Sequence, residues 1–363
     1  MRDTDRRRTK RLTVAGVTLA LTASAVAGSG VFAQSTAPSE APLDGTGVKV
    51  TLVVKENINP FWVWMIQGAT ARAQELGAEL QACWGAFDPD PEGQVTCIEN
   101  AIAAGSNALL IAPANAGVVP AIEQARESGM LAIALDTQTD PPDAVDATFA
   151  TDNFAAGLLI GQWAAAKLGD EAANAKIAFL DLDPSAPSVD RQRDQGFMQG
   201  FGIDVKDADL IGDEDDARIV GHDSSNGNEE GGRTAMENLL QRNPDINVVY
   251  TINEPAARGA ALALEAAGKS LDDVLLVSVD GGCAGVTDLA NGVIDATSMQ
   301  FPSRMASLGV DAAIRYAKDG TIPAPSEGLS FFNTGVELIT DDPQEGVTSQ
   351  DSTWGLENCW GTA

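Results

Sequence analysis

Val48-Lys49-Val50-Thr51-Leu52-Val53-Val54 runs into Lys55-Glu56-Asn57-Ile58 and then Asn59-Pro60-Phe61-Trp62, after which Met65, Ile66 and Ala69 follow at helical spacing. The apolar run reads as a buried strand and the segment from Pro60 as a helix. Two adjacent aromatics, a carboxamide and a helix-starting proline therefore stand at the carboxyl end of a first strand. Open α/β sheets take their ligands at that place. Flat apolar faces flanked by hydrogen-bonding groups suit a sugar ring, which has C–H faces and a hydroxyl rim. The competing reading places Phe61 and Trp62 in the core of the first helix.

Ahead of this segment lies a targeting pattern. Arg6, Arg7, Arg8, Lys10 and Arg11 form a basic n-region, Val14 to Ala27 an apolar h-region, and Val31-Phe32-Ala33 a small-residue cleavage site, so residues 1–33 read as a signal peptide cut after Ala33. The apolar run is short and interrupted by Gly and Ser, too weak for a membrane anchor. No cysteine precedes Cys83, so the leader has no lipid acceptor, and its arginines suit general secretion and twin-arginine export alike. The stretch 34–46, rich in Pro, Ser and Thr, reads as a disordered spacer.

The 363 residues suit two α/β lobes, and the formal net charge is −29. The leader carries six cations against two carboxylates, so the remainder carries −33. That acidity argues against nucleic acid and anionic membrane as partners. Cys83, Cys97, Cys283 and Cys359 are four thiols in an exported chain, which makes disulfides the default. Three pairings are open; pairing of neighbours, Cys83 with Cys97 and Cys283 with Cys359, is preferred. No two cysteines are closely spaced and His222 is the single histidine, so no metal site is expected. His222 lies in Gly221-His222-Asp223, read as a surface loop without a nucleophile elbow nearby.

Beyond residue 47 strands and helices alternate. Strands are expected at 48–54, 78–82, 108–111, 131–135, 147–150, 177–182, 248–251, 274–279 and 296–300. Helices are expected at 61–76, 94–104, 118–128, 153–168, 191–200, 232–242, 256–267, 283–291 and 302–319. This alternation implies parallel sheets with helices on both faces, an α/β fold with too many strands for one lobe. A first crossing between lobes is expected near Thr151-Asp152-Asn153. No phosphate loop is present and no Gly-x-Gly-x-x-Gly follows the first strand, which argues against a nucleotide cofactor; no cofactor is expected.

Polar groups recur just after the strands: Asn59 after the first, then Asp136-Thr137, Asp183-Pro184-Ser185 with Arg191 and Arg193 beyond it, Asn253-Glu254, Asp280 and Gln300. Each alone could cap a helix. Together, from both halves of the chain, they converge on one cleft if the lobes face each other. Carboxylates, carboxamides and one central arginine suit a neutral polyol, whereas an anionic ligand calls for more cations.

These stretches carry a resemblance. Asn59-Pro60-Phe61-Trp62, Ala134-Leu135-Asp136-Thr137, Phe149-Ala150-Thr151-Asp152-Asn153, Arg193-Asp194-Gln195-Gly196-Phe197, Ile252-Asn253-Glu254-Pro255 and Val279-Asp280-Gly281-Gly282-Cys283 resemble the periplasmic sugar-binding proteins of the ribose-binding type, in particular their fructose-binding branch. The resemblance runs from Gly47 to the C-terminus. It implies two Rossmann-like lobes of type I periplasmic-binding-protein architecture, residues 47–151 with 301–330 and residues 152–300 with 331–363. They are joined by crossings near Thr151, Gln300 and Phe331. It further implies a monomeric periplasmic receptor that holds a monosaccharide and hands it to an ABC permease in the inner membrane.

Carried over residue by residue, the family's contacts fall on Asn59, Phe61, Trp62, Asp136, Arg193, Asn253, Asp280 and Gln300. Thr137 stands where the family usually has an arginine, Ala112 where it has an asparagine, and Asn228 near the place of a second-lobe aromatic. These departures argue against simple ribose. A repressor of the same fold lacks support, because no basic helix-turn-helix opens the chain. A chemosensory receptor uses the same pocket with a different partner, and a secreted sugar-acting enzyme could use Asp136 and Asp280 as an acid–base pair.

Overall fold

The computed structural model describes residues 43–362. The signal peptide and spacer expected for 1–42 lie outside the described residues. The spacer does not extend to 46: Leu43 packs on the first core, and Gly45 N–H donates to the Leu76 carbonyl at 2.7 Å, so the folded chain starts by residue 43.

The first lobe contains β1 (Lys49–Val54), α1 (Pro60–Leu76), β2 (Glu79–Trp84), α2 (Pro91–Ala103), β3 (Ala108–Ile111), α3 (Val119–Glu127), β4 (Leu131–Leu135) and β5 (Ala147–Ala150). The second contains α4 (Asn153–Leu168), β6 (Ile177–Asp181), α5 (Ser188–Gly200), β7 (Ile219–Ser224), α6 (Glu229–Arg242), β8 (Val248–Thr251), α7 (Glu254–Ala266), β9 (Leu275–Asp280), α8 (Cys283–Ala290) and β10 (Ala296–Met299). The chain then returns through α9 (Pro302–Asp319), β11 (Phe332–Asn333), β12 (Glu337–Ile339) and α10 (Ser352–Asn358). One six-stranded sheet has the order β11-β5-β4-β3-β1-β2 and the other β12-β10-β9-β8-β6-β7. All pairings are parallel except β10 with β12.

Central strands such as β3 and β4 are buried on both faces, as their unbroken apolar sequences require. α1 starts where Asn59 Oδ1 accepts from Phe61 N–H at 2.9 Å with Pro60 in the first turn, and stops at Gly77 in the left-handed region (φ 75°). α7 starts the same way on Asn253, with Pro255 following. In the second lobe α4 and α5 approach so closely that a Cβ on Gly157 would stand 2.0 Å from the Arg193 carbonyl oxygen. That closeness brings Arg193 within reach of Asn153.

The chain passes between sheets at Thr151-Asp152, at Gln300-Phe301 and at Thr334-Gly335-Val336. The third passage falls later than expected near Phe331. Phe332 and Asn333 still pair with Phe149 and Ala150 of the first sheet, so the first lobe's share of the return segment extends past 330. Thr151 Oγ1 donates to Gln300 Oε1 at 3.2 Å, tying the first two passages together.

Both preferred disulfides are present. Cys83–Cys97 joins β2 to α2, and Cys283–Cys359 joins α8 to the segment after α10. Gly221-His222-Asp223 is not a loop: it lies within β7, an edge strand whose polar, half-exposed residues hide its strand character. His222 is not a surface residue either; it is largely buried, stacked on Phe179 with ring centroids 4.5 Å apart.

Candidate functional site

The carboxyl ends of the strands in both lobes face one cavity of about 460 Å³. Eight strands contribute to its lining. From the first lobe come Lys55 to Trp62 after β1, Phe87 and Asp88 after β2, and Asp136 after β4. From the second come Leu182, Asn226 to Asn228, Asn253, Asp280 and Gln300 at or just past the ends of β6 to β10, with Val189 and Arg193 from α5. After β3 stands Ala112. There Gln94 Nε2 donates to the Ala112 carbonyl at 2.8 Å and its Oε1 accepts from Ala114 N–H at 2.8 Å, closing the sheet end without reaching the cleft.

Nine of the ten expected contact residues line this cavity: Asn59, Phe61, Trp62, Asp136, Arg193, Asn228, Asn253, Asp280 and Gln300. Thr137 does not. Its hydroxyl donates to Asp136 Oδ2 at 2.8 Å and so orients the carboxylate from behind. Asn228 and Asn253 line the wall, but their amides are already engaged. Asn228 Oδ1 accepts from Gly231 N–H at 2.9 Å. Asn253 Oδ1 accepts from Ala256 N–H at 3.1 Å, and its Nδ2 donates to the Gly227 carbonyl at 2.9 Å. Both cap helices and hold the wall in shape.

Phe61 and Trp62 satisfy both readings of their sequence. They are 4 % and 6 % exposed, belong to the first-lobe core and also face the cavity. Their rings meet edge-on at 4.8 Å. Lys55, whose role sequence reasoning missed, lies 5.6 Å from the centroid of the Trp62 ring and 3.9 Å from Asp88. Its position just after an apolar strand was the available signal.

Arg193 is buried. Its Nε donates to Asn153 Oδ1 at 2.8 Å and its Nη1 to the Ile252 carbonyl at 2.9 Å, so the guanidinium is fixed with N–H groups to spare. Asp136 and Asp280, one from each lobe, are both buried and both feel its charge. Burial pushes the Asp136 carboxyl up, against the pull of Lys55 and Arg193. Burial likewise lifts Asp280 to about 6, opposed by Arg193 and by Gln300, whose Nε2 donates to Asp280 Oδ1 at 2.7 Å. Both aspartates hold positive φ, 65° for Asp136 and 146° for Asp280. Strained backbone of this kind concentrates where side chains must be aimed at a ligand.

The turn after Asp280 is held by Glu254, a second residue whose role the sequence did not reveal. Its carboxylate accepts from Gly281 N–H at 2.8 Å, Gly282 N–H at 2.9 Å and Thr297 Oγ1 at 2.8 Å. Burial, and then the charge of Asp280, raise it to about 8.

Two lobes of parallel α/β structure, three passages between them and a polar cavity at facing strand ends define a hinged binding protein. The family of the periplasmic binding protein domain matches residues 50–321, and the chain belongs to that family, one of solute-binding proteins rather than enzymes. The ribose import binding protein of Escherichia coli is 30 % identical over 276 residues, covering 76 % of this chain and 86 % of that protein. The ribose import binding protein of Haemophilus influenzae is 31 % identical over 276 residues, 76 % and 87 % of the two chains. A solved ABC transporter periplasmic solute-binding protein from Actinobacillus succinogenes with bound D-allose has the same fold. Its TM-score is 0.68 at 24 % identity, covering 81 % of this chain and 97 % of that one.

Proposed function

We propose that this chain is an exported receptor that captures a neutral monosaccharide, a ketose of the fructose type, and delivers it to an ABC permease in the inner membrane. The observation that carries the proposal is the pair of buried carboxylates, Asp136 and Asp280, brought from opposite lobes to one cavity with Arg193 acting on both. Carboxylates accept from vicinal hydroxyls, and a fixed guanidinium donates to hydroxyl or ring oxygens. Lys55 and Arg193 face Asp136, Asp280, Glu56 and Asp88 in the lining, so the charges of the site are balanced against an anion. The volume is within the range of small-ligand pockets. Import proteins for ribose at about 30 % identity support the sugar class. Thr137, Ala112 and Asn228 at the places where the ribose pattern has other residues support a different sugar within it.

The test is a calorimetric screen across pentoses, aldohexoses, ketohexoses and polyols. One ketose bound at one equivalent, without product, is the expected result. Arg193→Ala should lose at least about tenfold in affinity, the loss of one charged hydrogen bond. Binding of an amino acid or peptide in place of sugars overturns the reading.

A further inference from the structure

In the second lobe, next to the lining of the sugar cavity, three elements and a loop bring a second polar cluster together. His222 on β7 has Nδ1 3.1 Å and 3.2 Å from the two carboxylate oxygens of Asp181 at the end of β6, and 3.8 Å from Asp194 Oδ2 on α5. Its other ring nitrogen, Nε2, is 3.7 Å from Glu214 Oε2 in the loop before β7. One donor atom from each of Asp181, Asp194 and His222 lies within 4.8 Å of the other two. Asp190, one helical turn before Asp194, presents its carboxylate to the same group: its Oδ1 accepts from Leu182 N–H at 2.8 Å.

The cluster is deeply buried and under-partnered. Asp190 and Asp194 are 0 % exposed, and neither oxygen of Asp194 nor Oδ2 of Asp190 meets an N–H or hydroxyl donor; the partner Asp194 does have is another carboxyl, that of Asp181. Glu214 Oε1, His222 Nε2 and the hydroxyl of Tyr250 have no hydrogen-bond partner. Buried carboxylates without donors or counter-charge are costly. Among the described residues, the cations of the surrounding segments pair outside the cluster: Arg218 with Asp216, Lys206 with Asp215 and Arg242 with Asp223.

We propose that Asp181, Asp194 and His222 form a binding site for one divalent first-row transition ion, with Glu214 holding the second ring nitrogen of His222. Bonds of about 2.0–2.2 Å to N and O donors place neighbouring donors roughly 3–4 Å apart, which is the spacing of His222 Nδ1 from Asp181 and Asp194. A metal-bound imidazole commonly gives its other N–H to a carboxylate; Glu214 Oε2, 3.7 Å from Nε2, would need to close by under about 1 Å to take that role when the ion binds. An imidazole among the ligands favours zinc over calcium or magnesium, and manganese, which shares their preference for oxygen donors, should bind more weakly than zinc. Sequence spacing conceals this site because its donors come from three separate segments. The ion would also brace the cleft: Leu182, whose N–H is held by Asp190, and Arg193, next to Asp194, both line the sugar cavity.

Full-length mature protein stripped with a chelator and moved to chelator-free buffer is titrated with ZnCl2 and MnCl2, with CaCl2 and MgCl2 in parallel. The expected result is one tightly bound equivalent of zinc by elemental analysis, with manganese weaker. It is accompanied by a Tm rise of about 5 °C at a hundredfold excess over the Kd. Asp194→Asn and His222→Gln should each remove most of that shift. Should Asp194→Asn fail to fold, His222→Gln at its partly exposed position carries the test. With Co2+ as probe, visible d–d bands should appear in the parent and change in His222→Gln. No Tm change with either metal overturns the proposal and leaves a proton-sharing carboxyl cluster. An equal shift in the variants assigns the ion to the acidic surface. A response to calcium or magnesium alone overturns imidazole ligation.

Discussion

The indole N–H of Trp360 donates to the main-chain carbonyl of Gln300 at 2.9 Å. The same N–H lies 3.2 Å from the Asp280 carbonyl, and the Trp360 ring meets Phe61 edge-on at 5.3 Å. The C-terminal tail thus touches the second passage between lobes, the residue that aims into the cavity, and the first helix of the opposite lobe. Trp360→Phe keeps most of the ring and removes the donor, leaving buried carbonyls without it. A loss of about 1–3 kcal/mol is expected, and about 3–5 kcal/mol for Trp360→Ala. Urea unfolding measures both. A Trp360→Phe protein as stable as the parent refutes a role for the indole N–H.

The bond that places Trp360 is Cys283–Cys359, closing a sequence separation of 76 residues. Cys283 N–H also donates to the Trp360 carbonyl at 2.8 Å. Replacing both cysteines by alanine should cost roughly 2–4 kcal/mol. Because the disulfide and the indole anchor the same tail, adding Trp360→Ala to that variant should cost less than the sum of the two. Strict additivity in the double-mutant cycle counts against a shared anchoring role.

Where an apolar run was bounded by Gly, Pro or polar residues, the sequence was legible to the residue: β3, β4, β5, β8, α4 and α9 have the expected ends. β7 was not, because an edge strand with Gly221, His222 and Asp223 at its centre lacks the apolar signal on which such readings rest. β11 and β12 are two and three residues long, too short for any period to show. The lining of the cavity was legible because residues that follow successive parallel strands gather at one end of a sheet. Capping competes for the same residues, which is why Asn228 and Asn253 spend their amides on α6 and α7. Lys55 stood where a strand-end ligand group would stand, but its place over Trp62 is a matter of tertiary packing that the sequence pattern does not show.

Closure of the lobes should accompany binding. The lining of the cavity is divided between the lobes, and among the described residues three passages of chain connect them. A ligand that bonds to Asp136 and Asp280 together favours whichever state brings them near, by its difference in affinity between states. Small-angle scattering at saturating sugar should give a smaller radius of gyration than without it. An unchanged radius under tight binding rules the hinge motion out.

The last prediction concerns Asp280, whose carboxyl stands at about 6 in the folded protein against an ordinary 3.8, chiefly because it is buried. A raised carboxyl means that the folded state holds the proton more firmly than the unfolded chain. The group's contribution to stability is therefore fully present at low pH and is lost as pH rises through about 6; above that the buried charge costs stability. Binding has the opposite sign. A sugar hydroxyl donates to the ionised form, so a protonated Asp280 must release its proton first. Affinity should be level between pH 7 and 8 and fall below about 6, by up to roughly tenfold per unit. Calorimetry near pH 6 in buffers of different ionisation enthalpy should detect proton release on binding. Asp280→Asn keeps an oxygen for the Gln300 amide and removes the charge. It should raise the Tm of the ligand-free protein at pH 8, weaken sugar binding, and flatten the acid limb of the affinity profile. A variant that binds more weakly but keeps the same acid limb would assign the titration to another group.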